Sequence, residues 1–131
     1  MRVEPVTPET LGKILPWWPA RDDGPMPADL LPPAGACALD EAGEPLAAAW
    51  LYTPPSCRVA MLDWLVSKPG CGPALTRAAC RAVFLSLADT ARAGGARVLF
   101  ASVERAGMLR EAQACGFTIA ATGCTHLVKN L

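Results

Sequence analysis

Residues 57–75, CRVAMLDWLVSKPGCGPAL, constrain the fold more than any other stretch of the chain. Residues 57–66 have the composition of a strand buried on both faces, with Asp63 the only acid among Val59, Met61, Leu62, Trp64, Leu65 and Val66. The chain then turns on Pro69, Gly70 and Gly72, and a long helical pattern opens at Pro73. A buried strand, a glycine turn and a helix N-terminus in succession make an anion site, because free backbone N–H groups and the helix dipole both favour negative charge there. The stretch therefore points to a phosphate-bearing cofactor.

The rest of the chain supplies a sheet around it. Residues 2–6 read as a first strand, and Thr7-Pro8 as the cap and first position of a helix carrying Leu11, Ile14 and Leu15. Trp17 and Trp18 open a proline-rich passage, read as a lid packed on the core or as one wall of a substrate cleft; residues 28–31 form one helical turn. Residues 35–40 and 45–53 are strands joined by a turn at Gly43, and a second turn at 54–56 leads into the strand at 57–66, an antiparallel meander by its short connections. Pro73–Ala93 is a helix stopped by Gly94-Gly95, with Leu75, Ala79, Val83 and Leu87 on one face. Residues 96–103 follow as a strand parallel to 57–66, because a helical crossover joins them. A helix over 105–115 ends at Gly116, and strands at 117–121 and 124–131 close the chain. The order is a mixed α/β arrangement with helices on both faces of the sheet. The 131 residues are the size of a single domain, 1–131.

Composition narrows the function classes. Lys plus Arg equals Asp plus Glu at 12 each, so a broad electrostatic grip on nucleic acid is not expected. No apolar run approaches the ~18–20 residues of a membrane span, and the N-terminus lacks the apolar core of a secretory signal, so a cytoplasmic protein is expected. Six cysteines and one histidine lack the clustered spacing of a metal site, so the thiols read as free.

In this order the chain resembles the GNAT N-acetyltransferase superfamily over nearly its whole length. Asp63-Trp64-Leu65-Val66 stands where that family has an acid and then the apolar end of its fourth strand. Gly70-Cys71-Gly72-Pro73-Ala74-Leu75 resembles the G-x-G-x-A-L start of its cofactor helix, and Cys115-Gly116-Phe117 its "GF" helix end. The 124–131 pattern, with THLVK, is also similar to short phage-related members. The resemblance implies a mostly antiparallel sheet in which two central parallel strands splay apart. It implies acetyl-CoA as co-substrate, with pantetheine along Leu65 and Val66 and pyrophosphate on the turn of Gly70, Cys71, Gly72 and Ala74 beside Lys68. It also implies an amine acceptor, of a small molecule or a protein, and admits a homodimer.

Asp63 is the candidate general base, since an amine must be deprotonated before it attacks a thioester; the alternative is an ordinary strand residue or a structural partner of an arginine. Cys71 at a helix N-terminus has no visible base partner, and His126 reads as a strand histidine. Arg77 and Arg81 could reach phosphates or lie solvated on the helix. Where the family carries a tyrosine that protonates the leaving thiolate, this chain has Ala112; where it often has asparagine, there is Glu104; and the glycine turn is short. Two functional classes follow: an acyl-CoA-dependent N-acetyltransferase, or a GNAT-fold binding or assembly protein without catalysis. A dinucleotide-binding domain fits less well, because Gly70–Leu75 lacks the full G-x-G-x-x-G.

Overall fold

The computed structural model describes residues 1–53 and 57–131; the turn expected at 54–56 lies outside the described residues. The elements run β1 (Arg2–Pro5), α1 (Pro8–Ile14), β2 (Ala34–Leu39), β3 (Pro45–Tyr52), β4 (Val59–Ser67), α2 (Pro73–Ala93), β5 (Val98–Ala101) and α3 (Ala106–Ala114). Among the described residues the five strands form one sheet in the order β1-β2-β3-β4-β5. The pairings from β1 to β4 are antiparallel and β4 with β5 is parallel, as the crossover through α2 requires.

Local chemistry accounts for the helix limits. Thr7 caps α1 through a reciprocal pair with Thr10, each backbone N–H donating to the other's hydroxyl, with Pro8 at the first position. α2 and α3 both end in a glycine-dependent cap. The amides of Gly95 and Ala96 donate to the carbonyls of Arg92 and Ala91, and those of Gly116 and Phe117 to the carbonyls of Gln113 and Ala112. The second cap drops the Phe117 ring beside Phe84, with ring centroids 5.9 Å apart.

Period-two alternation sends the side chains of the sheet to two cores. Ala36, Ala38, Ala49, Leu51, Ala60 and Leu62 face α2 and α3, meeting Ala79, Cys80, Val83, Phe84 and Leu87. Cys37, Ala48, Trp50 and Val66 face α1, meeting Ile14, Trp17 and Trp18. The Trp pair is thus packed into the core, in keeping with the lid reading, and Ala28–Leu30 forms the expected single helical turn. Small residues on β2 and β3 let bulky partners lie close. A Cβ on Gly35 would stand 2.5 Å from the Trp50 indole nitrogen, so only glycine fits beneath that ring.

Two expectations need correction. β5 covers only Val98–Ala101 rather than 96–103, because Ala96 serves the cap of α2 and β4 departs from its neighbour after Leu62. The strands expected at 117–121 and 124–131 do not form; Leu127, Val128 and Leu131 lie almost fully exposed. Leu127 and Val128 are consecutive and so fall on opposite faces of any strand, each beside a polar neighbour. Neither face presents an apolar strip, and isolated strand propensity does not hold a strand without one.

Candidate functional site

The site forms where β4 breaks its register. Between the pairs Trp50–Asp63 and Ala48–Val66, the single residue Ala49 faces both Trp64 and Leu65, a β-bulge. Trp64 takes the left-handed conformation, φ 59°, which costs a bulky residue on the order of 1–3 kcal/mol unless its surroundings hold it. Two bonds hold it. Its backbone N–H donates to Asp63 Oδ1 at 2.7 Å, and its indole Nε1–H donates to the Tyr52 hydroxyl oxygen at 2.7 Å.

The bulge swings the end of β4 away from β5. Parallel pairing runs from Val59–Val98 to Leu62–Ala101 and stops, while β4 continues to Ser67. Residues 63–67 remain bonded to β3 on one side and have no strand partner on the other among the described residues. The two parallel strands therefore splay at their C-terminal ends. Leu65 and Val66 lie on this stretch, Leu65 turned to the α2 core and Val66 to the α1 core.

The glycine turn follows at once. The Lys68 amide donates to the Leu46 carbonyl at 2.8 Å and fixes the exit from β4. Gly70 and Gly72 have φ of 80° and 78°, and Gly72 caps α2 without any side-chain bond. Among the described residues no acceptor meets the amides of Cys71, Gly72, Ala74 or Leu75. Pro73 carries no N–H, so the turn offers those amides together with the α2 dipole. The Cys71 thiol packs on the α2 core, and no histidine or carboxylate is bonded to it among the described residues.

Asp63 sits half-buried on the α1 face of β4, opposite Trp50. It forms no ion pair among the described residues, so the arginine-partner alternative does not apply; one carboxylate oxygen secures the bulge. Arg77 and Arg81 do not lie free on α2. Arg81 donates to Glu111 Oε2 from Nη2 at 2.7 Å and from Nε at 3.0 Å, and Arg77 Nε stands 3.6 Å from Oε1. The hydrogen bond to Glu111 raises the Arg81 pKa. This cluster clamps α3 to α2. Ala112 is buried at 3% exposure against the core, so α3 presents no hydroxyl there. His126 is exposed on the C-terminal segment and meets none of these groups.

Three contributors escaped the sequence reading. Arg21 donates to the Ser67 carbonyl from Nε at 3.1 Å and to Ser67 Oγ from Nη2 at 2.9 Å, tying the segment after α1 to the end of β4. It lies in a proline-rich passage with no periodicity to mark it. Tyr52 reaches Trp64 only because the bulge turns that indole inward. Glu111 had a signal, since two arginines four apart on a helix call for a shared partner.

No family model matches the sequence, and no curated protein does. Solved structures do. A point mutant of the protein TTHA1254 from Thermus thermophilus superposes with a TM-score of 0.76 at 15% identity, covering 100% of this chain and 99% of its own. A ribosomal-protein-alanine N-acetyltransferase from Brucella melitensis biovar Abortus 2308 gives 0.64 at 16%, covering 99% and 100%. An acetyltransferase from Trypanosoma brucei gives 0.66 at 11%, covering 97% and 99%.

The fold is the GNAT fold. Identities this low establish architecture and leave chemistry to the site itself. Within the GNAT arrangement, the splay of β4 from β5, which the sequence resemblance implied, lies beside the open amides at the start of α2.

Proposed function

We propose that the protein is an N-acetyltransferase that moves the acetyl group of acetyl-CoA to a primary amine of a small molecule or protein. The observation that carries this reading is the unpartnered edge of residues 63–67, which runs directly into a turn whose amides have no acceptor. An extended amide-bearing chain would pair with backbone groups of Leu65 and Val66, as an added strand does. Pyrophosphate would accept from the amides of Cys71, Gly72 and Ala74, with the Lys68 ammonium adding charge.

Asp63 is the base. It takes a proton from the bound ammonium, directly or through one water, and the freed amine attacks the thioester carbonyl. The tetrahedral intermediate collapses with cleavage of the carbon–sulfur bond. With Ala112 buried, a water carries the surplus proton from the attacking nitrogen to the leaving thiolate, giving a neutral amide and a free thiol. The reading places the protein in the cytoplasm, with the acyl-CoA pool.

The test is a thermal melt with and without acetyl-CoA, followed by thiol release in the presence of amines. At a hundredfold excess over Kd the ligand should stabilise the fold by about 2.7 kcal/mol, and thiol should appear only when an amine is present. One observation favours a second reading. The absence of a hydroxyl at Ala112 suits a GNAT-fold binding or assembly module, in a phage-related setting. That module would give no thiol release with any amine, and unchanged melting at millimolar acetyl-CoA would remove the co-substrate as well.

A further inference from the structure

An open groove of about 510 Å³ lies at the end of β3, beside the start of β4. Pro32, Pro33, Tyr52, Cys57, Val59 and Met61 line it, and no Asp, Glu, Lys or Arg is among its described lining residues. Tyr52 and Met61 are cross-strand partners, and the next pair on that face is Trp50 with Asp63. Alternation puts Met61 and Asp63 on one side of β4, two residues or ~6.6 Å apart along the strand. That distance is comparable with the reach from the ring to the nitrogen of an arylethylamine. Asp63 is not among the groove's described lining residues; it stands two residues beyond Met61 on the same face of β4.

Among the groove's described lining residues the polar side chains are those of Tyr52, Thr53 and Cys57. The Tyr52 oxygen already accepts the Trp64 indole N–H, so its hydroxyl hydrogen is left to donate. An ammonium projecting past Met61 along that face would meet Asp63. A second cation on the same molecule would be carried into an apolar trough with no counter-charge, and so would a carboxylate, each at a desolvation cost.

We infer that this groove is the acceptor subsite, and that it takes a primary amine carried on an uncharged apolar or aromatic body, in preference to polyamines and acidic amines. The inference rests on the acetyl-transfer reading for the role of the amine, but the groove can be tested without turnover.

The chain has four methionines, so methyl-labelled methionine gives four signals to follow by NMR. Titration with 2-phenylethylamine should shift the Met61 methyl saturably and leave Met108, in the opposite core, in place. Spermidine should bind at least tenfold more weakly. Val59 is 46% exposed, so Val59→Lys should fold and should weaken 2-phenylethylamine at least tenfold. No movement of Met61 would overturn the subsite. Equal or tighter binding of spermidine would overturn the ligand class. A saturable Met61 shift with no thiol release from acetyl-CoA would support the groove and overturn acetyl transfer, so the two failures are distinguishable.

Discussion

Asp63 has two duties that one substitution can separate. Its Oδ1 holds the Trp64 amide and so the bulge, while its basicity would serve the reaction. Asparagine keeps an oxygen in that position and loses the basicity. Asp63→Asn should therefore melt close to the parent and acetylate ~10²–10⁴-fold more slowly, with acetyl-CoA affinity unchanged. Asp63→Ala removes both, and should also lose about 1 kcal/mol in urea unfolding because the Trp64 amide loses its acceptor. An Asp63→Asn protein that works at the parent rate would leave Asp63 with the bulge alone.

At the scale of elements, much is legible in the sequence. α2 runs over Pro73–Ala93 as its spacing predicts, because apolar periodicity, Pro73 at the start and Gly94-Gly95 at the end all agree. The parallel partnership of β4 and β5 follows from the crossover rule. What could not be read is the bulge. A one-residue register slip leaves no mark in composition, and it decides where Trp64, Tyr52 and the outer edge of β4 face. The last two strands are misread for the opposite reason: alternation is visible, but a strand also needs a neighbour and an apolar face. Gly72 joins element to site. Its φ of 78° and ψ of 157° belong to a region open essentially to glycine alone. Gly72→Ala should cost ~1–3 kcal/mol, read by chemical denaturation, and should weaken acetyl-CoA further by re-aiming the first turn of α2. Full retention of acetyl-CoA affinity in that variant would move the phosphates elsewhere.

Across the whole molecule, burial sorts the six thiols. Cys57 and Cys124 are exposed, whereas burial pushes the Cys37 and Cys80 thiols up to about 11. Iodoacetamide at pH 8 should modify Cys57 and Cys124 within minutes and spare Cys37 and Cys80 until the protein unfolds, as mass spectrometry would show. These two thiols are neutral when folded and ionise more readily when unfolded. Their contribution to stability is therefore intact below about pH 9 and lost as pH rises through about 11. Urea midpoints taken across that range should fall with rising pH.

The short β4–β5 ladder also sets the order of events in time. β2 to β4 are neighbours in sequence as in space, so each of their pairings closes a small loop, whereas β1 reaches β2 across residues 6–33. β5 joins only after α2 has been laid across the sheet, and then through four register pairs. Long-range pairing of this kind forms late. Leu99, half-buried against the α2 core, should therefore matter chiefly after the folding barrier. If Leu99→Ala costs about 2 kcal/mol, stopped-flow kinetics should show unfolding faster by ~30-fold and folding nearly unchanged. A folding arm slowed by the same factor would place β5 in the nucleus instead. On this order the seam where the acyl-CoA is proposed to lie should open first, so acetyl-CoA should lengthen the lifetime of the native state without hastening its formation.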